Sequence, residues 1–231
     1  MIARSVLMCV CVIVLLTSPL VAESKKIAFN AEKMSGTSGK KDSITSLEGN
    51  ASVTVGTLTI KAERIELSGK DFRYVKADGS VKGSDEEEGF SFIADQLSYD
   101  RETEVASFQG NAVLSDTKNE VESSAGLISY NQKTEVAFFQ VDVKLKRRNI
   151  SCVSAFALYR RELSMLDLTG SPSVTRSGDT FTADRISVNL ETEHISLDGS
   201  VTGKLEDTKE ETKEDTKEET KDDTKENDEE Q

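Results

Sequence analysis

Histidine is nearly absent from this chain: His194 is the only one in 231 residues. Neither a histidine-rich metal centre nor a conventional triad with its own histidine is therefore spelled out. His194 lies between Glu193 and Ile195, at the start of an alternating run, and reads as a surface residue. Cysteine is almost as scarce. Cys9 and Cys11 fall inside an N-terminal apolar run, which leaves Cys152 alone in the remainder. No intrachain disulfide is available there, so stability has to come from a core and from strand pairing; Cys152 itself reads as a small buried strand residue. No glycine-rich loop leads into a helix to cradle a phosphate. With 29 basic against 42 acidic residues and a net charge of −13, the chain has no basic stripe interleaved with aromatics, so nucleic acid is not an expected partner. The one basic cluster, Lys144 to Arg148, reads as a hairpin tip. Helical apolar periodicity is missing after residue 22, except over the short stretch from Ala28 to Met34. An enzyme is not expected, nor are a metal or a cofactor.

The two ends differ from the middle. Arg4 precedes an apolar run from Val6 to Leu16, and small residues at Val21 and Ala22 come before Glu23. This is the layout of a secretory signal with cleavage after Ala22; left uncleaved, the run would serve as an inner-membrane anchor. At the other end, residues 204–231 repeat a pattern of two acids, Thr and Lys, with 14 acidic residues against 6 lysines. Leu205 is the single large apolar residue there, too little to offset the entropy of ordering. The expected organisation is a signal peptide over 1–22, one domain over 23–203, and a disordered acidic tail over 204–231.

That domain is repetitive. Gly49, Gly79, Gly110, Gly170 and Gly199 each follow an apolar and then a polar residue, and Val141 fills the same place between the third and fourth, at steps of 29 to 31 residues. A second mark falls between them, at Ala31, Ala62, Ala94, Ala125, Ala155 and Ala183, followed by an acid in four of the six. Around the glycines the apolar residues alternate, as in Ala106, Phe108, Ala112, Leu114 and in Ala137, Phe139, Val143, Leu145. That is the signature of half-buried strands, with the glycine on the inward face. At the Ala-acid pairs the parity flips: Leu58, Ile60 and Ala62 are even-numbered, Ile65 and Leu67 odd. A strand cannot change faces without an irregularity, so a β-bulge or corner is predicted at Ala62, Ala94 and Ala183 and their counterparts. Short polar turns at Ser68–Asp71, Asp100–Thr103, Asn131–Thr134 and Glu191–Glu193 separate the strands. The predicted fold is all-β: a folded antiparallel sheet, jelly-roll-like or taco-shaped, built from about six two-strand repeats of about 30 residues.

The stretch Ala94–Asp100 (ADQLSYD) followed by Ala106–Ala112 (ASFQGNA), and Ala183–Val188 (ADRISV) followed by Ile195–Val201 (ISLDGSV), resemble the OstA-like family of lipopolysaccharide-transport proteins, the LptA type. The resemblance covers nearly all of residues 27 to 203. It implies a periplasmic bridge protein with an apolar groove that shelters acyl chains of lipopolysaccharide or another glycolipid. It also implies open sheet edges that join other OstA-like proteins, or a second copy, end to end. Two departures stand out: the fourth unit has Val141 for glycine and Ala155-Phe156 for the Ala-acid pair, and the acidic tail has no counterpart in the family pattern.

A carrier of acyl chains needs a continuous apolar lining and a mouth that leaves the head group in water. The candidates for that lining are Phe90, Phe92, Phe108, Leu114, Tyr130, Phe139, Leu145 and Phe181, each of which also suits plain core packing. The rival reading is a structural or adhesive β-repeat protein of the cell envelope with a packed interior and no lipid.

Overall fold

The structure is a computed structural model that describes residues 26–37 and 43–206. The expected signal segment and nearly all of the expected acidic tail lie outside the described residues. Among the described residues, sixteen strands form one open antiparallel sheet: β1 (Ile27–Asn30), β2 (Lys33–Thr37), β3 (Ile44–Val55), β4 (Leu58–Ser68), β5 (Tyr74–Asp85), β6 (Phe90–Asp100), β7 (Val105–Asp116), β8 (Val121–Asn131), β9 (Val136–Arg147), β10 (Ile150–Arg160), β11 (Met165–Thr169), β12 (Ser173–Arg176), β13 (Asp179–Thr182), β14 (Arg185–Asn189), β15 (Ile195–Asp198) and β16 (Thr202–Lys204). The only helical piece among the described residues is a single 3-10 turn at Lys70–Phe72.

Several of the short strands are halves of longer ones. β1 and β2 pair with the two ends of β3, and β11 and β12 pair with the two ends of β10, with Pro172 in the break between them. β13 with β14, and β15 with β16, continue this arrangement. Counted this way the sheet has twelve strands, two for each of six repeats. The weak helical signal over Ala28–Met34 is overridden: that segment is strand, because β3 offers it a ladder of main-chain partners along its whole length.

Each long strand bends near its middle, and all the bends fall at one level across the sheet. Between β3 and β4 the register passes from Glu48↔Arg64 to Ala51↔Ala62, so that Gly49 and Asn50 oppose Glu63 alone. The same shift recurs at Asp78/Val81 of β5 and Gln109/Ala112 of β7. The bend is where the parity flip places it, but the extra residue is not in the Ala-acid pair. It lies across from that pair, in the glycine strand, where the glycine and its successor both take positive φ (Gly79 79°, Ser80 50°; Gly110 72°, Asn111 45°).

This geometry corrects the expected orientation of the glycines. A Cβ on Gly79 would sit 2.6 Å from Oε2 of Glu63, which lies on the exposed outer face. The open side of the glycine thus faces outward, and the acid of the neighbouring strand lies across it. The acid then accepts a hydrogen bond from the side chain that follows the glycine. Asn50 donates to Glu32 (2.7 Å), Ser80 to Glu63 (3.2 Å), Asn111 to Asp95 (3.0 Å) and Ser200 to Asp184 (3.2 Å).

The fourth unit keeps the bend by exchanging roles between strands. Val141 and Asp142 adopt φ of 68° and 52° without any glycine, while the acid's position across from them is Gly126, where a Cβ would meet Val141 Cβ at 3.1 Å. In the next unit the pattern is displaced by one residue. Ser154 is buried, Ala155 lies against Gly170 in the acid's place, and Phe156 points outward, 53% exposed. The Ala-acid equivalent is therefore Ser154-Ala155 and not Ala155-Phe156.

Folding along the row of bends brings two half-sheets face to face. Leu47, Ile65, Phe108, Ile128, Phe139, Leu168 and Ile186 come from one half and Val53, Ile60, Leu114, Leu145, Ile150 and Val174 from the other, all fully buried. Cys152 is part of this core, and burial pushes its thiol up to about 12.

Replacing Gly79 by Ala is expected to cost about 1–3 kcal/mol, from the left-handed backbone and the clash with Glu63. In urea unfolding, part of that loss should return when Glu63→Ala is added. An identical loss with and without the Glu63 side chain would remove the acid from the account.

Candidate functional site

Between the half-sheets the packing opens into a cavity of about 240 Å³. One wall is Leu58, Ile60, Phe90 and Phe92; the other is Leu97, Tyr99, Ala106, Phe108 and Tyr130. The aromatic side chains define its shape. Phe92 and Phe108 meet across the interior with ring centroids 4.6 Å apart, and Phe90 stacks on Tyr130 at 5.1 Å, arrangements that favour the rings beyond their burial. Gly83 is Phe92's partner on the neighbouring strand, and any Cβ there would run into the Phe92 ring. The missing side chain sets how far that ring leans over β5. Burial pushes the Tyr99 and Tyr130 hydroxyls up to about 12, so both stay neutral.

Of the eight residues expected to line a groove, Phe90, Phe92, Phe108 and Tyr130 surround this cavity. Leu114 lines a void of about 10 Å³ beside it, shared with Phe90 and Tyr130. Phe139 and Leu145, each 1% exposed, are plain core on β9, where arginines draw the two halves together. Phe181 stands half-buried on β13, paired with Gly203 near the C-terminal edge and away from the cavity.

Polar groups are confined to the mouth, where the ends of the two half-sheets approach each other. On one lip, β5 and β7 end in Asp85 and Asp116, both buried, and β9 and β12 end in Arg147 and Arg176. The other lip is made by the turns after β6, β8, β10 and β14. Arg101, Gln132, Arg161 and Leu190 each donate a backbone N–H to the preceding turn (2.9, 3.0, 3.0 and 2.7 Å), stitching that lip into a rail. The lips are tied across by arginines. Arg161 Nε donates to Asp116 at 2.7 Å and its Nη2 to the Glu88 carbonyl at 2.7 Å. Arg147 donates to the Leu190 carbonyl, and Arg176 to that of Glu193. Tyr159 adds a longer bond from its hydroxyl to Asp116, at 3.4 Å. The tied stretch is the C-terminal part of the mouth; the cavity lies at its upstream end, rimmed by Asp85, Glu88, Glu104, Gln132, Glu135 and Arg161.

Sequence reasoning missed this mouth. Asp116 and Arg161 are 45 residues apart, so nothing local pairs them. A signal was present all the same: Asp85 and Asp116 continue the inward parity of Val81 and Leu114, and a carboxylate on a buried face needs a partner. Elsewhere, His194 is exposed, as its context suggests, and the basic cluster lies partly on the outward face of β9 (Lys144, Lys146), with Arg147 and Arg148 at the tip. Among the described residues no group of three or more His, Cys, Asp or Glu side chains could hold a metal, and no helix is long and apolar enough to cross a membrane.

Asp116 and Arg161 are 4% and 7% exposed, so this is a buried ion pair, costly to break from one side only. Burial pushes the Asp116 carboxyl up, but hydrogen bonds from Arg161 and Asn119, with the Arg161 charge, outweigh burial and hold it below the usual carboxylate range. Its stabilisation is thus complete above the unfolded value near 4 and is lost as pH falls through the lower folded value. Arg161→Leu should destabilise by about 3–5 kcal/mol, and Asp116→Leu/Arg161→Leu by less. The gap between wild type and the double variant should narrow in acid and stay constant from pH 5 to 8; a gap that widened in acid would show that the pair is not ionised.

Residues 30–136 match the family described as the LptA/(LptD N-terminal domain) LPS transport protein. No curated protein matches the chain. Among solved structures the chain is similar to LptH, the LptA homologous periplasmic component of the lipopolysaccharide transport device from Pseudomonas aeruginosa, at 13% identity and a TM-score of 0.49, over 54% of this chain and 99% of that one. The family match runs from the end of β1 to the first residue of β9 and takes in every residue lining the cavity except Arg161. This cavity-bearing stretch is thus the part of the chain that matches the family of LptA and the LptD N-terminal domain.

Proposed function

We propose that the chain is an exported, non-enzymatic lipid carrier of the periplasm, which takes lipopolysaccharide or a related glycolipid from the inner toward the outer membrane with an acyl chain between its half-sheets. The observation that supports this reading above all is the separation of chemistry in the cavity, with aliphatic and aromatic walls inside and every ionised group at the mouth. An alkyl chain asks for no hydrogen bonds, and each sheltered methylene contributes about 0.8 kcal/mol. A chain that is only partly enclosed is therefore held well enough to carry and loosely enough to pass on.

The two ends of the sheet supply the second half of the reading. β2 is exposed throughout, with Met34 61% exposed, and β15 and β16 close the other end without a further partner strand among the described residues. Such edges accept another strand through main-chain hydrogen bonds. A contact between the first edge of one copy and the last edge of the next does not close on itself and extends into a bridge. In this reading residues 1–22 direct export, residues 23–203 carry the lipid, and the acidic tail from 204 follows the last strand.

The full chain, expressed in a two-membrane bacterium and purified without detergent, should carry extractable lipid in native mass spectrometry. Ala106→Phe and Leu58→Trp fill the cavity from opposite walls and should each lower lipid uptake by roughly tenfold or more, the equivalent of two displaced methylenes. Circular dichroism would establish that they still fold. A wild-type protein that is empty and takes up no added lipid would favour a packed structural repeat.

A further inference from the structure

Along the inner face of one half-sheet, large and small residues alternate from strand to strand. The cross-strand pairs Tyr99↔Ala106, Ala106↔Tyr130, Tyr130↔Ala137 and Ala137↔Tyr159 form one continuous row. The three tyrosines are 31 and 29 residues apart in sequence, and each stands two strand spacings, about 10 Å, from the next. They act as ribs, and the alanines between them leave two bays. The bay over Ala106, between Tyr99 and Tyr130, is the cavity of about 240 Å³. The bay over Ala137, between Tyr130 and Tyr159, keeps only about 10 Å³; Arg161 and Asp116, which also line it, meet there at 2.7 Å.

The rib shared by the two bays is completed from the facing half-sheet. Phe90 stacks on Tyr130 with ring centroids 5.1 Å apart and planes 23° from parallel, and both rings line both bays. The pair therefore closes the interior between the cavity and the void. At the opposite end the cavity stops at Leu58 and Ile60, whose partners on β3, Val55 and Val53, are buried. An alkyl chain lying along the cavity is bounded at both ends. To run further toward β9 it would have to part the two rings and then disturb a buried ion pair whose hydrogen bonds it cannot replace.

Resting on the carrier reading above, we propose that Phe90 and Tyr130 form a partition that sets the length of acyl chain the cavity accepts. The methyl end of the chain comes to rest against the ring pair, and methylenes beyond that length stay outside the apolar walls. However many chains the cargo carries, the bay measures the one it holds. Removing either ring joins the space it filled, and the void behind it, to the cavity, and an apolar space of this kind is available to an apolar guest.

The test is titration calorimetry on the full chain with a series of alkyl maltosides from six to fourteen carbons, each below micelle formation. They share one uncharged head, so only chain length varies. Affinity should rise about fourfold with each added methylene until the chain reaches the ring pair, and by less than about twofold thereafter. Phe90→Ala and Tyr130→Ala should each carry the steep rise at least two carbons further, whereas Phe181→Ala, away from the cavity, should leave the break where it is. Circular dichroism checks folding, and Phe90→Leu, with an extension of at least one carbon, replaces a ring variant that does not fold. A wild type whose affinity climbs without a break, a break unmoved in any folded ring variant, or one that Phe181→Ala moves equally would each overturn the partition and leave the carrier reading standing. A wild type that binds none of the series would defeat the carrier reading itself.

Discussion

At the middle of every second strand, two consecutive residues with left-handed backbone oppose a single residue of the neighbouring strand, and in four of the six units an acidic side chain closes over the gap and is held by an Asn or Ser. The bend that results is repeated at one level along the sheet. Without it, twelve antiparallel strands would make a broad twisted sheet whose apolar face had nothing to cover it. With it, the sheet supplies its own second layer. The core, the cavity and the opposed lips are all consequences of where the strands fold, and the constraint is local: a residue that tolerates positive φ, and room on its outer side for a neighbour's side chain.

The fourth and fifth units show which part of that constraint is essential. Val141 is an unfavourable residue for φ of 68°, yet the bend survives because Gly126 on the neighbouring strand yields the space that the acid occupies elsewhere. What is conserved along the molecule is a volume relation between two strands. Which strand contributes the glycine is secondary. At Ala155 the covering group has shrunk to a methyl, and its backbone N–H still bonds the Gly170 carbonyl at 3.1 Å.

This explains what could be read from the chain and what could not. The alternation in Ala106–Leu114 and the parity flip between Ala62 and Ile65 are properties of neighbouring residues, so strands, bends and the folded all-β architecture were legible. The side of the bend that holds the extra residue was not, because it depends on the opposition of Gly49 and Asn50 to Glu63, a pairing between strands. The cavity was half legible. Phe90, Phe92, Phe108 and Tyr130 face inward by parity, but so do Phe139 and Leu145, and only the spacing of the two halves separates a lining residue from a core one. That spacing is set at the mouth by Arg161, Arg147 and Arg176, whose partners lie 17 to 73 residues away in sequence.

Because each strand pairs only with its sequence neighbours along most of the sheet, the molecule grows in one direction, like a stack. Adjacent strands are about 4.8 Å apart, so every repeat of two strands adds nearly 10 Å, and twelve strands measure about 53 Å from first to last. The cross-section is fixed by the bend and the length by the number of repeats, so the two can vary independently. A lineage could add or delete units of about 30 residues and obtain a longer or shorter folded sheet with the same cross-section. In that sense the chain is a ruler, graduated by its bends.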